Sequence, residues 1–119
     1  MNKAKVLQLV NSHQYHGLRA GDKHRFIDIS IVESEGRLFV RQYSFSKRSW
    51  YHAFQEDPNG AIKCGDTVIK VKGVIPHDLD AINPKVNQAY LDKYGSAASM
   101  MLGPRYMAST LELIPLVEE

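Results

Sequence analysis

The stretch FIDISIVESEGRLFVRQYSF, residues 26–45, decides the fold of this chain. Apolar and polar side chains alternate over residues 26–32, which is the pattern of a half-buried β-strand. The Ser-Glu-Gly of residues 34–36 is typical of a turn, and residues 38–45 are again rich in β-branched and aromatic side chains. The stretch therefore predicts an antiparallel hairpin.

Three more strands are expected further along the chain. Residues 61–64 and 67–74 predict a second hairpin around Gly65-Asp66, and Asn59-Gly60 predicts a turn before it. Leu111 and Leu113 alternate with polar residues and indicate a closing strand. With the first hairpin, this makes five predicted strands.

Three helices are expected between these strands. An amphipathic helix opens the chain, because its apolar residues recur at helical spacing. A second helix has Ser46 or Ser49 as its N-cap and stops at Asp57-Pro58. A third begins at Asn83-Pro84 and ends at Gly95, where a left-handed residue suits a helix C-terminus.

The order of these elements predicts the architecture. Every turn between strands is short, which favours antiparallel pairing over crossover connections. Five such strands must curl or close to protect their edges. We therefore expect an α+β protein built on a small antiparallel β-barrel with flanking helices.

Length and composition indicate one ordinary globular domain that covers residues 1–119. The apolar fraction is 44% and the charged fraction is 24%. Cys64 is the only cysteine, which excludes an intrachain disulfide and agrees with a reducing compartment. No apolar stretch is long enough to span a membrane, and the first residues do not resemble a signal peptide. A cytoplasmic location is expected.

The balance of charge argues against nucleic acid as a partner. Fifteen Lys and Arg residues face thirteen Asp and Glu residues, so the net charge is only +2. The five histidines are scattered along the chain without the spacing of metal ligands, and Cys64 has no activating neighbour in sequence. The sequence therefore predicts no metal site and assigns no catalytic residue.

The segment that best suits a ligand follows the first hairpin. Residues 46–49, Ser-Lys-Arg-Ser, offer hydroxyl, ammonium and guanidinium donors at the start of a helix, which are the components of an anion site. Tyr43 and Trp50 lie beside them in sequence and could provide an apolar wall for a planar ring. The alternatives are a solvated turn with an ordinary serine cap, and a Trp50 that simply plugs the barrel.

Residues 38–58 resemble the strand, loop and helix of flavin-binding split-barrel proteins. That group includes pyridoxamine phosphate oxidase-like proteins and the deazaflavin-dependent nitroreductase-like branch. Residues 89–95, 102–106 and 108–111 are similar to a widespread, functionally uncharacterised bacterial family within the group. The resemblance to this family covers residues 26–116, whereas the link to enzymes of known activity rests on about twenty residues.

The resemblance implies a homodimeric split barrel that binds FMN or a deazaflavin and transfers a hydride to an unknown small molecule. Residues 100–102 and Met107 would suit the dimer interface. Trp50 or Tyr43 would lie beside the ring, and Arg105, held by the rigid Gly103-Pro104 turn, would reach the ligand, a subunit boundary or only solvent. The implied phosphate contacts are Arg41, Ser46, Lys47, Arg48 and Ser49.

Residues 24–29 depart from the enzymes of this group. They lack the clear second phosphate motif that many of those enzymes carry. The alternative is therefore a non-enzymatic binding or structural module that keeps the barrel without a redox cofactor.

Overall fold

The computed structural model describes residues 1–43, 45 and 49–117. Within that part of the chain there are four α-helices, one 3-10 helix and seven strands. The helices are α1 Lys3–Ser12, α2 Trp50–Glu56, α3 Leu79–Tyr94, the 3-10 helix Gly95–Leu102 and α4 Pro104–Ala108. The strands are β1 His16–Ala20, β2 Ile27–Ile29, β3 Val32–Ser34, β4 Arg37–Val40, β5 Asn59–Cys64, β6 Thr67–Val74 and β7 Leu111–Pro115.

All seven strands form one antiparallel sheet in the order β2-β1-β5-β6-β7-β4-β3. The two edge strands, β2 and β3, are consecutive in the chain and are separated only by Ser30 and Ile31. Because so short a connection reaches only about 10 Å, the sheet must curl until its two edges meet. This curled antiparallel sheet with flanking helices confirms the predicted α+β barrel.

Two apolar clusters lie on opposite faces of the sheet. The inner cluster fills the barrel with inward-facing strand residues such as Leu18 and Ile62, and Val6 and Val10 of α1 close one end of it. The outer cluster lies beneath α3 and includes Phe39 of β4. Both faces of β4 are therefore buried, one in the barrel interior and the other beneath α3.

Phe54 fixes α2 against the barrel. Its side chain is 2% exposed and lies over Gly60 of β5 and Gly73 of β6. A Cβ added at either glycine would lie 2.5 Å from the Phe54 ring. The ring can therefore approach the strands only because both positions lack a side chain.

The structure corrects several predicted strand boundaries. The described sheet has seven strands rather than the five predicted, because the sequence did not predict β1 and because one predicted strand is divided into β2 and β3. The predicted strand over residues 26–32 is interrupted at Ser30 and Ile31, where the chain passes from one sheet edge to the other. The strand predicted to run to residue 45 ends at Val40, and Asn59 and Gly60 begin β5 instead of forming a turn.

The helices agree with the predictions better at their C-termini than at their starts. The α2 helix begins after Ser49 and ends before Asp57, whereas the alternative cap Ser46 lies outside the described residues. The α3 helix ends at Tyr94, and the next residue, Gly95, is its C-cap with the expected positive φ of 62°. However, α3 begins five residues earlier than residue 84, so Pro84 lies within it and the predicted cap Asn83 is buried.

None of the helices in the described ranges is long and apolar enough to cross a membrane.

Candidate functional site

A cavity of about 370 Å³ opens where α2 lies beside β1 and β2. Its volume is within the range of small-molecule sites in proteins, about 300–1,000 Å³. Three of the residues predicted from the sequence, Tyr43, Ser49 and Trp50, contribute to its wall. The complete described lining is Leu18, Arg19, Ala20, His24, Arg25, Ile27, Tyr43, Ser49, Trp50 and Ala53.

One side of the cavity is apolar. Leu18 and Ala20 alternate along β1 with their side chains towards the barrel core, and Trp50 begins the α2 helix opposite them. The indole of Trp50 is partly buried and packs against the inner cluster, so its position is fixed by the core. Trp50 therefore acts as a wall of the cavity, while the plug of the barrel is Phe54.

The other side of the cavity is basic. Arg19, His24 and Arg25 come from β1 and from the connection to β2. None of the described lining residues is an aspartate or a glutamate. The local charge is therefore more positive than the net charge of the chain implies, and it favours an anionic ligand.

Arg19 carries a buried donor that no described residue satisfies. Its Nε is buried and has no hydrogen-bond partner among the described residues. The guanidinium carbon lies 4.5 Å from the centre of the Phe26 ring, which holds the group in place by a cation–π contact. A buried unpaired donor costs about 1–3 kcal/mol, and an acceptor oxygen on a ligand would remove that cost.

Tyr43 and Ser49 lie on either side of residues 46–48 in the sequence, and both line the cavity. The Tyr43 hydroxyl donates a hydrogen bond to the carbonyl oxygen of Asp28 over 3.1 Å, although 51% of the side chain is exposed. Ser49 makes no side-chain cap of α2, because its Oγ instead lies 2.9 Å from His52 Nδ1. The hydroxyl of Ser49 therefore already has a hydrogen-bond partner, His52, at the wall of the cavity.

Ser46, Lys47 and Arg48 lie outside the described residues, so their predicted phosphate contacts stay predictions. The cavity is bounded by the described residues nearest to them, Tyr43 and Ser49.

Arg41 is placed elsewhere, in the network beneath α3. Its side chain is fully buried, and all five of its N–H donors have acceptors. The acceptors are Thr110 Oγ1, Asn87 Oδ1, the Met101 carbonyl, and both the carbonyl and Oδ1 of Asn83. Burial lowers the pKa of Arg41 to about 10. With no donor left for a ligand, Arg41 has a structural position, and we remove it from the phosphate candidates.

Arg105 also lies outside the cavity lining. Its guanidinium carbon is 4.0 Å from the centre of the Phe45 ring, and that ring meets Tyr106 edge-on at 5.1 Å. Arg105 is exposed on the short helix α4. The structure thus brings Arg105 to the aromatic pair of Phe45 and Tyr106 but not to the cavity with Trp50.

The sequence did not indicate that Arg19, His24 and Arg25 line the cavity. The run LRAGDKHR, residues 18–25, contains these three residues, but Asp22 and the absence of a β-branched pattern hide their arrangement. Only the unpredicted strand β1 places them opposite Trp50. Within the described ranges, no group of three His, Cys, Asp or Glu side chains could hold a metal ion.

The family described as "Uncharacterized protein conserved in bacteria (DUF2255)" matches residues 10–113. The chain belongs to this family. No curated protein matches the sequence.

Solved structures with the same fold come from several bacteria. A candidate pyridoxamine 5'-phosphate oxidase from Listeria innocua superimposes with a TM-score of 0.65 at 12% identity, covering 97% of this chain and 94% of that one. A conserved hypothetical protein from Mycobacterium tuberculosis gives 0.65 at 16% identity, with coverages of 100% and 81%. An FAD-binding protein from Mesorhizobium loti gives 0.57 at 12% identity, with coverages of 100% and 91%.

Such low identities establish a common fold but not a common ligand or activity. The similarity extends over nearly the whole of this chain, so the shared element is the complete barrel with its helices. The predicted split-barrel fold and the predicted link to an uncharacterised bacterial family are both confirmed.

Proposed function

We propose that this protein binds FMN or a related flavin or deazaflavin in the cavity between α2 and β1. One observation carries the proposal: an apolar wall ending in Trp50 faces a basic wall, in which the buried Arg19 Nε has no partner in the part of the chain that the structure describes. A flavin combines a flat apolar ring with an anionic tail. These two walls match those two parts, since apolar surface receives the ring and guanidinium groups receive the phosphate.

The phosphate end of the site would combine two segments. Arg19 and Arg25 belong to the described wall, and the Lys47-Arg48 pair follows Tyr43 by only a few residues. Ser46 and Ser49 would add hydroxyl donors. Arginine suits this role because its planar fork can donate two parallel hydrogen bonds to a phosphate.

The ring end would use aromatic surface. Trp50 is held by the core, and Tyr43 is held by its hydrogen bond to Asp28, so either ring can support a flavin without first being ordered. When bound, a flavin supplies hydride transfer, and the protein contributes binding, orientation and exclusion of water. The function proposed for the bound form is that of an oxidoreductase acting on a small molecule.

Two of the structural relatives support this proposal by their descriptions. One is described as an FAD-binding protein and another as a candidate pyridoxamine 5'-phosphate oxidase. At 12% identity they support the type of ligand and do not extend to a substrate.

We also propose that the protein is a homodimer whose second subunit covers the mouth of the cavity. Tyr43 and Ile27 both line the cavity and are 51% and 39% exposed, so they form apolar surface at its entrance. Of the predicted methionine patch, Met101 and Leu102 pack inward on the outer cluster, whereas Met100 is 59% exposed. Light scattering of the purified protein would show twice the monomer mass of 13.5 kDa, and a monomer would contradict this part.

The test of flavin binding begins with the visible absorption spectrum of the purified protein. FMN, FAD and a deazaflavin are then added in separate equilibrium dialysis experiments. We expect at least one of them to bind at micromolar concentration or tighter. If none binds, the flavin proposal is wrong, and the alternative of a non-enzymatic module that keeps the barrel replaces it.

Matched variants locate the phosphate. Arg25→Gln and the double change Lys47→Ala with Arg48→Ala should each weaken binding of the selected flavin about tenfold or more, because each removes charged hydrogen bonds. Lys72→Gln removes the same charge as Arg25→Gln from an exposed position on β6, outside the cavity, and should leave the affinity unchanged. Equal effects of Arg25→Gln and Lys72→Gln would show that the phosphate lies elsewhere.

A further inference from the structure

The helix α3 covers only part of the outer surface of the sheet. The outer cluster beneath it takes its strand residues, Val32 and Phe39, from β3 and β4. On β6, Ile69 and Val71 point into the inner cluster, so the residues that alternate with them point outward. The outward side of β5, β6 and β7 is therefore a separate surface of the molecule.

Lysine and aliphatic side chains make up this surface, which we call the lysine face. It consists of Lys63, Val68, Lys70, Lys72, Ile114 and Leu116. Lys72 pairs with Ile114 across β6 and β7. The Leu116 N–H donates to the Lys70 carbonyl over 2.9 Å, which places Leu116 beside Lys70 in the next row. Charged and apolar side chains thus lie next to one another across the two strands.

The aliphatic members of the lysine face are exposed to solvent. The exposed fraction is 50% for Val68, 42% for Ile114 and 47% for Leu116. Single exposed aliphatic residues are common on proteins, but three on one face of a sheet form a patch that suits an apolar contact.

The lysines of this face have no carboxylate partner among the described residues. Lys70 and Lys72 are exposed, while Lys63 lies opposite Val68 with its Nζ 5.9 Å from the centre of the Phe26 ring. No salt bridge in the described part of the chain includes any of the three lysines. The outward residues of β5 and β6 include no aspartate and no glutamate.

The outward carboxylate of β7 is already paired. Glu112 lies two residues before Ile114, and its two oxygens accept hydrogen bonds from Arg37 over 2.8 and 3.1 Å. The strand spacing puts the three lysines within about 15 Å of one another, so their charges act together on an anionic surface. Positive charge is thus concentrated on this face, although the net charge of the whole chain is only +2.

We propose that the lysine face binds the surface of an anionic lipid bilayer. The ammonium groups of Lys63, Lys70 and Lys72 contact the negatively charged headgroups. Their long aliphatic stems let them do so while Val68, Ile114 and Leu116 enter the boundary between headgroups and acyl chains. This contact lies on β5, β6 and β7 and does not involve the proposed flavin cavity.

The composition of the face favours a bilayer over other anionic or apolar partners. Protein interfaces are depleted of lysine and enriched in aromatic residues, and two copies of this face related by a two-fold axis would bring lysine against lysine. Proteins that bind single-stranded nucleic acid stack its bases on aromatic rings, and the lysine face has none among its six members.

Vesicle sedimentation with the purified protein tests the proposal. Vesicles of phosphatidylcholine alone are compared with vesicles that contain about 30% phosphatidylglycerol, a lipid with an anionic headgroup. We expect binding to the anionic vesicles at least about tenfold stronger than to the neutral ones in about 0.1 M salt, and weaker binding in about 0.5 M salt.

Matched variants locate the contact. Lys70→Gln combined with Lys72→Gln should weaken binding to the anionic vesicles about tenfold or more, because two of the three cations are lost. Lys5→Gln combined with Lys23→Gln removes the same charge from exposed positions outside the face and should change binding less than about twofold. Urea denaturation of both double variants confirms that each retains the fold.

Three outcomes would overturn the proposal. The first is binding that does not distinguish the two kinds of vesicle, and the second is an equal loss of binding in the two double variants. The third is a different occupant of the face. Binding of a single-stranded oligonucleotide but not of vesicles, lost on changing Lys70 and Lys72, would identify nucleic acid. A dimer by light scattering that the same change dissociates would identify a second copy of the chain.

Discussion

The hydroxyl of Tyr90 donates a hydrogen bond to the carbonyl oxygen of Ser30 over 2.9 Å. Tyr90 is fully buried on α3. Ser30 is one of the two residues through which the chain passes from the edge strand β2 to the edge strand β3. The next residue is held in the same manner, since the Ile31 N–H donates to His16 Nδ1 and the Ile31 carbonyl accepts from Lys93. Side chains thus provide hydrogen-bond partners for the backbone groups of Ser30 and Ile31, where the hydrogen bonds between strands are interrupted.

Tyr90→Phe should destabilise the protein by about 1–2 kcal/mol, because the buried carbonyl of Ser30 loses its donor. Urea denaturation measures the change. Tyr15→Phe is the control, since Tyr15 is 66% exposed, and this change should stay within about 0.5 kcal/mol. Equal stability of Tyr90→Phe and the wild type would show that water replaces the hydroxyl.

Arg41→Lys should destabilise the fold by about 2–4 kcal/mol. A lysine offers three donors in place of five, so acceptors among Asn83, Asn87 and Thr110 would be left unpaired in the interior. Arg105→Lys is the surface control and should change the free energy of unfolding by less than about 0.5 kcal/mol. A stable Arg41→Lys that has lost flavin binding would instead return Arg41 to the ligand site.

Gly73→Ala should cost about 1–3 kcal/mol, because the new Cβ would lie 2.5 Å from Phe54 Cδ1. Gly103→Ala is the control, since a Cβ there has no neighbour closer than 3.9 Å. In a Phe54→Ala background the ring is absent, so Gly73→Ala should cost much less. Additive effects in urea denaturation would contradict the proposed contact.

The free energy of unfolding should decrease as the pH falls through the range below 6.5. Burial lowers the pKa of His16 in the folded protein, so the unfolded chain binds a proton first, and acid favours unfolding. Asp78 contributes only at lower pH, because the hydrogen bond from Arg37 lowers its pKa to about 2, and the stability that this gives is lost as the pH falls from the ordinary carboxyl pKa towards that value. Protonation of His16 would also remove the acceptor of the Ile31 N–H.

His16→Asn tests this pH dependence. Unfolding in urea at pH 5.0, 6.0 and 7.0 should show a wild type that loses stability relative to the variant towards acid. A constant difference between the two proteins would show that His16 does not titrate in this range.

The sequence predicts those elements whose local signals agree with their packing. The hairpin of β5 and β6 turns at Gly65, whose φ is 59°, and α3 ends at Gly95, so glycine marked both points. The β1 strand, HGLRA, contains a glycine and an arginine and no β-branched residue, and only pairing with β2 and β5 makes it a strand. Pro84 indicated a helix start, but burial of Ile82 extends α3 past it.

The candidate site was predictable in part for the same reason. Tyr43, Ser49 and Trp50 lie close in sequence, so one motif indicated all three, and the structure places them on one cavity. Arg19 and Arg25 reach that cavity only through long-range pairing, which no local pattern reveals. Arg41 shared the basic character of the motif, yet the strand geometry turns it towards α3 and its network with Asn83.

The most direct test of the flavin site is the fluorescence of Trp50, the only tryptophan of the chain and a wall of the cavity. FMN, FAD and a deazaflavin are each titrated into the protein, with riboflavin, which lacks the phosphate, as the comparison. We expect saturable quenching of Trp50 by at least one phosphate-bearing cofactor, at a concentration about tenfold or more below that needed for riboflavin. Absence of saturable quenching by all three cofactors would contradict it.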